Sequence, residues 1–186
     1  MHMHMLIVAV ALLAVGGGCK SKKEMPAAAS TEPAQSIGAP EEEADPSQPV
    51  QQMPPKLGGD SVWFAMERTP CFGTCPAYKL LIMPNGSATY IGRRFAPREG
   101  IYTGKVDAAT MKALGQAVEA SGFSKMDDVY DRPVTDLPST IIRFRTGGQD
   151  KQVVGRVGPP QAFKDLAKRA EELLANVEWT RVGEER

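Results

Sequence analysis

The stretch AYKLLIMPNGSATYIG, residues 77–92, reads as two strands joined by a tight turn. Two apolar and aromatic runs flank Pro84-Asn85-Gly86, and an Asn-Gly pair tolerates the positive φ that two-residue hairpin turns require. A hairpin here commits the chain to an antiparallel sheet, and the neighbouring segments extend it. SVWFAMER (61–68) alternates well enough for a preceding strand, and GIYTGKV (100–106) supplies a following one.

After these strands the period changes. Asp107 stands where a helix N-cap belongs, and Met111, Leu114 and Val118 share one face of a helix running to about Ser121. Gly122 followed by Phe123 has the form of a Schellman-type stop. A loop, SKMDDVYDRPVTDLP (124–138), leads to a second hairpin made of STIIRFRT (139–146), GGQD (147–150) and KQVVGRV (151–157). Gly158-Pro159-Pro160 ends it and starts a last helix reaching about Val177, with Phe163, Leu166, Ala170, Leu173 or Leu174, and Val177 inward. The expected fold is α+β, an antiparallel sheet carrying two helices on one face in the order β-β-β-β-α-β-β-α. This domain spans residues 60–180 and leaves a tail at 181–186.

Upstream the composition is different. Residues 20–59 hold seven prolines, no aromatic residue and the acidic run EEEAD (41–45). Such a segment buries too little apolar surface to offset its ordering entropy and reads as a tether. Before it, residues 6–15 form an apolar run with the length of a secretory h-region. A helical membrane span would need about 20 apolar residues. Gly16-Gly17-Gly18-Cys19 resembles a bacterial lipobox, with Gly16 where that motif has leucine. The expected organisation is a signal peptide (1–18), a lipidated Cys19 and a tether (19–59). Lys20 is not the aspartate that favours inner-membrane retention, so the expected site is the outer membrane. Lys20, Lys22 and Lys23 flank the anchor, within reach of anionic headgroups.

Charge excludes some partners. The chain carries 22 Lys and Arg against 22 Asp and Glu, and residues from Asp60 onward carry 18 against 16. No basic excess points to nucleic acid. The only histidines, His2 and His4, fall in the predicted leader, so a mature chain has no Ser-His-Asp or Cys-His arrangement. No Gly-rich loop sits between a strand and a helix, and no cofactor is expected.

The segments RTPCFGTCPAYKLLIMPNGSATYIG (68–92), TGKV (103–106) before a helix, TDLPST (135–140) before a strand, and the closing helix together resemble a bacterial domain-of-unknown-function family, number 6438 in its series. The resemblance covers roughly residues 60–180 and is most specific over residues 68–78, which include Arg68, Tyr78 and the two cysteines that mark the family. Members are typically secreted proteins or lipoproteins with such a tether. The resemblance therefore implies the fold and an extracytoplasmic place, and no activity.

Cys71 and Cys75 are separated by three residues, one more than the Cys-x-x-Cys redox motif. Pro76 and a strand follow instead of a helix. Structural zinc takes about four ligands, and two cysteines without histidine supply half of that. A disulfide fits best, with Gly73, Pro70 and Pro76 letting the chain reverse; thiol redox and metal binding are the other readings. Asp127, Asp128, Asp131 and Asp136 cluster in one loop, where a carboxylate pair or a calcium site is conceivable on composition. The plainer role for Asp136 is to accept backbone N–H bonds at the start of a strand. Arg93, Arg94 and Arg98 surround Phe95 in a basic turn suited to anionic lipid, glycan or carboxylates, or simply to solvent. Trp63 and Trp179 read as core or edge-sealing residues.

These readings combine into a lipid-anchored extracytoplasmic domain acting as a binding or structural module of the cell envelope. Its partners are the membrane, through Cys19, and an envelope protein or wall component reached by the tether. The alternative is an envelope enzyme, using thiol redox at Cys71/Cys75 or carboxylate hydrolysis at Asp131/Asp136.

Overall fold

The computed structural model describes residues 53–184. The expected signal peptide, the lipidation site Cys19, the tether as far as residue 52, and residues 185–186 lie outside the described residues.

The hairpin at residues 77–92 forms as its sequence implies. Strands β2 (Tyr78–Ile82) and β3 (Ser87–Gly92) pair antiparallel, with Leu80 opposite Tyr90. In the turn, Asn85 Oδ1 accepts from the Ser87 N–H at 2.9 Å, and Gly86 has φ 82°. A Cβ on Gly86 would lie 2.4 Å from the Val106 carbonyl oxygen, so the turn needs glycine for space as well as for conformation. The sheet extends on one side through β1 (Phe64–Arg68) and on the other through β4 (Gly100–Lys105). Helix α1 (Ala108–Ala120) starts at Asp107, whose Oδ1 accepts from the Thr110 N–H at 2.9 Å, and Gly122 follows it in the left-handed region. The second hairpin, β6 (Thr140–Thr146) and β7 (Gln149–Gly155), joins the sheet beside β1.

Two strands were not anticipated. β5 (Val129–Tyr130) is two residues long and lies parallel to β7, so the sheet is mixed at that edge instead of wholly antiparallel. It is recruited by the β7 edge through Val154 N–H to Asp128 O at 2.8 Å and Arg156 N–H to Tyr130 O at 2.9 Å. β8 (Trp179–Gly183) closes the opposite edge against β4. Helix α2 (Gln161–Leu174) accordingly stops short of Val177 and turns through short i→i+3 bonds, Ala175 N–H to Glu172 O and Val177 N–H to Leu174 O. The result is one eight-stranded sheet, ordered β5-β7-β6-β1-β2-β3-β4-β8, with two helices.

Alternation along the strands divides the apolar residues between two faces. Phe64, Met66, Leu80, Ile82, Tyr90, Ile142 and Phe144 point to the side where both helices lie, with Leu114 and Val118 of α1 and Phe163, Leu166, Ala170 and Leu174 of α2. The i, i+3, i+7, i+11 spacing of the α2 set is what lays that helix on the sheet. Each such side chain contributes about 1.5–3 kcal/mol on leaving water. The other face has a smaller cluster, Leu57, Val62, Ala65, Ile141 and Val154. Residues 54–59, assigned to the tether by composition, pack here. Arg143, 1% exposed, holds them by donating to the carbonyl oxygens of Leu57 and, at 2.6 Å, Gly59. Its Nε and Nη2 reach both carboxylate oxygens of Asp150 at 2.8 and 2.9 Å. Gln152 completes the clasp by accepting from the Leu57 N–H at 2.9 Å.

Candidate functional site

Strand register gathers the candidate residues at one end of the sheet. Arg68 pairs with both Tyr78 and Thr140, Tyr78 with Gly92, Gly92 with Gly100, and Thr140 with Gly155. The loops at residues 69–77, 93–99 and 131–139 therefore emerge side by side. Arg93 N–H donates to Ala77 O at 2.8 Å and Thr69 N–H to Ser139 O at 3.0 Å, tying neighbouring loops together. Four of the exposed large apolar residues, Phe72, Phe95, Val134 and Leu137, sit on these loops.

Cys71 and Cys75 are joined in a disulfide with their Cα atoms 5.7 Å apart. Closing so small a loop contributes about 2 kcal/mol in the chain-entropy model, enough to shape the turn. What the turn displays is Phe72, 93% exposed. In the adjacent loop Phe95 takes φ 62°, its N–H donates to Glu99 Oε1 at 3.0 Å, and the Arg94 guanidinium lies 4.8 Å from its ring centroid. Arg93 reaches Glu67 at 3.4 Å.

Beneath these loops, on the helix side of the sheet, lies a mostly apolar cavity of about 470 Å³. Its floor is aromatic. Tyr78 stacks on Tyr90 with centroids 5.3 Å apart, and Tyr90 meets Trp179 of β8 at 5.6 Å. Leu80 and Leu174 line it further, and Pro76, Pro97 and Arg98 bring the two loops to its mouth. Gly92 makes this closeness possible: a Cβ there would lie 1.6 Å from the Arg98 carbonyl oxygen and 2.9 Å from the Tyr90 ring.

Two tyrosines on neighbouring strands meet different fates. The Tyr78 hydroxyl donates to Glu171 Oε1, which also accepts from Arg68 Nε at 2.8 Å. Arg68 Nη1 continues to Thr140 Oγ1 at 2.9 Å. Burial, followed by the Glu171 carboxylate, pushes the Tyr78 phenol above its ordinary value, with Arg68 acting against both. Tyr90 is 6% exposed, and its buried hydroxyl donates to no acceptor among the described residues. Burial pushes this phenol up to about 12, and the charge and backbone N–H of Arg98 pull the other way. Leaving such a hydroxyl without an acceptor costs about 1–3 kcal/mol, so its position is a feature to explain.

The aspartate loop is engaged differently. Asp131 accepts from Arg156 Nε at 2.6 Å and Asp128 pairs with Lys151. Asp136 is exposed in the left-handed region at φ 66°. The N–H acceptor role expected for it is not seen: the bond ordering this loop runs from Ser139 N–H to Thr69 Oγ1 at 2.7 Å. Asp131 and Asp136 share no partner. Among the described residues no three His, Cys, Asp or Glu side chains gather in a way that could hold a metal ion.

Arg68 and Tyr78 thus meet at one carboxylate, while Tyr90 and Glu171 were not singled out by sequence. Glu171 left a trace. It lies four residues after Ala167 and three before Leu174, a charge at the margin of an apolar helical stripe. Tyr90 left none, because nothing local marks which buried hydroxyl will lack an acceptor.

No curated protein matches the chain. A family model described as Domain of unknown function (DUF6438) matches residues 63–174, from the residue before β1 to the end of α2, which leaves β8 and Trp179 outside the match. Since that span is more than half of the sequence and contains the disulfide turn, both tyrosines and Glu171, the protein belongs to the DUF6438 family of domains of unknown function.

Proposed function

We propose that this domain is a binding module of the cell envelope, carried on a lipid anchor at Cys19 and a proline-rich tether, and that the aromatic cavity is its recognition site. The observation that carries the reading is the cavity itself, ligand-sized, mostly apolar and walled by Tyr78, Tyr90 and Trp179, with Arg98 at its mouth. Preformed apolar concavities with a few convergent polar groups are the usual form of small-ligand and side-chain sites. Aromatic walls supply affinity with little entropy to lose. Binding is preferred to thiol or carboxylate chemistry because no cysteine or aspartate lines the cavity and Asp131 is paired with Arg156. The exposed Phe72 and Phe95 lie on the loops that also carry Pro76 and Pro97 and would meet a larger partner, an envelope protein or wall component, that presents the bound group.

Ala175 tests the reading, since it lines the cavity at the exposed C-terminal cap of α2, where a tryptophan fills space without entering the core. The full chain is titrated with envelope lipid extract, wall fragments and soluble envelope protein in turn while the Tyr78, Tyr90 and Trp179 side-chain resonances are followed. The expected result is a shift with one fraction that Ala175→Trp abolishes. Shifts that persist in Ala175→Trp, or none with any fraction, overturn the assignment. The anchor is tested by labelling cells with a fatty-acid analogue: label is expected on the wild-type chain and not on Cys19→Ala, and equal labelling contradicts it.

A further inference from the structure

Charge around the cavity narrows what the site accepts. Glu171 is already engaged, its Oε1 accepting from both Arg68 and Tyr78. Arg98, at the mouth, has no carboxylate partner among the described residues. Its backbone crosses the end of β3 against Gly92, which brings the residue to the same cavity wall as Tyr90. The cavity therefore combines an apolar aromatic body with one guanidinium without a counterion at its mouth.

Each candidate class can be weighed against that set. A cationic ligand would face Arg98 with Glu171 already spoken for. A sugar carries many hydroxyls, and the lining, Leu80, Leu174, Pro76, Pro97 and aromatic rings, has few groups to bond them. A wholly apolar ligand would leave the Arg98 guanidinium without an acceptor. A carboxylate on an apolar body answers both features: its oxygens accept from the guanidinium, and its body lies on the aromatic floor.

We propose that the cavity between Tyr78, Tyr90, Trp179 and Arg98 binds a small apolar carboxylate, with the carboxylate on the Arg98 guanidinium and the apolar body on the aromatic floor. This rests on the cavity being the recognition site. The shared chemistry has two sources, a free aliphatic acid and the C-terminal acid of a peptide ending in an apolar residue.

The test uses the full chain and two matched pairs, octanoate with octanamide, and N-acetyl-phenylalanine with its primary amide. Binding is read from the Tyr90 and Trp179 side-chain resonances. The expected result is that at least one acid binds about tenfold more tightly than its amide. Arg98→Gln is expected to erase most of that difference while leaving the amide unchanged. The arm that shows the preference identifies the source. Equal binding of acid and amide overturns the carboxylate assignment and leaves the cavity as a site. Failure of all four compounds to perturb these resonances overturns both.

Discussion

Arg68 Nε donates to Glu171 Oε1 at 2.8 Å, joining the last residue of β1 to the last turn of α2 across 103 residues of sequence. The same oxygen accepts from Tyr78, so one carboxylate fixes the tyrosine on which Tyr90 stacks. The wall of the cavity is thereby set by a contact between the two ends of the domain.

Glu171→Gln removes the charge that opposes ionisation of Tyr78. The phenol is raised first by burial and next by Glu171, so the variant's Tyr78 is expected to titrate below the wild-type value while staying above that of a free tyrosine. Side-chain NMR of ring-labelled tyrosine against pH measures this. The ion pair is partly exposed, so the loss of stability should not exceed about 1 kcal/mol.

Tyr90→Phe is expected to stabilise the unliganded protein. Deleting a buried hydroxyl that donates to no acceptor removes a desolvation cost and only the contact with the Arg98 backbone, a gain of up to about 1 kcal/mol by denaturant unfolding. Tyr78→Phe, which deletes the donor to Glu171, is expected to go the other way. A loss of stability in Tyr90→Phe equal to that in Tyr78→Phe would mean that the Tyr90 hydroxyl donates to an acceptor.

Gly92→Ala places a methyl group 1.6 Å from the Arg98 carbonyl oxygen. The loop at residues 93–99 must lift, at a cost of about 2 kcal/mol, and the mouth of the cavity opens. Thermal unfolding should show the loss, and ligand binding should weaken with it.

Local features were legible in the sequence, and long-range ones were not. Asn85-Gly86, Asp107 and Gly122 act within a few residues of themselves, so turn, cap and stop could be assigned from the chain alone. β5 has two residues and no periodicity to detect, and β8 carries a mostly exposed polar sequence that becomes a strand only because β4 offers an edge. Residues 54–59 look like tether, yet Arg143 and Gln152, some 90 positions later, hold them on the sheet. The disulfide was readable from the spacing of the cysteines and the prolines and glycine around them. The cavity depends on where Tyr90, Glu171 and Arg98 meet, a matter of register between distant strands and a helix.

Asp150 gives the fold a pH dependence of known sign. The hydrogen bond from Arg143, with a further one from Lys56, holds its carboxyl well below the ordinary 3.8. A depressed carboxylate stabilises the fold above the unfolded-state pKa, and this contribution is lost as pH falls from about 4 toward the folded value. Asp150→Asn leaves the buried Arg143 without its counterion and is expected to cost about 3 kcal/mol at neutral pH. Urea unfolding from pH 7 to pH 2 should show the difference between wild type and variant shrinking as the medium becomes acid. A constant difference would contradict the pairing.

The cavity as a ligand site is tested most directly by intermolecular nuclear Overhauser effects between a bound apolar acid, octanoate or N-acetyl-phenylalanine, and the labelled full chain. Contacts from the ligand body to the Trp179 indole, the Tyr90 ring and the Leu174 methyls are predicted, disappearing in Ala175→Trp. Contacts confined to Phe72, Phe95 or the opposite face of the sheet, or contacts that survive Ala175→Trp, would contradict the account.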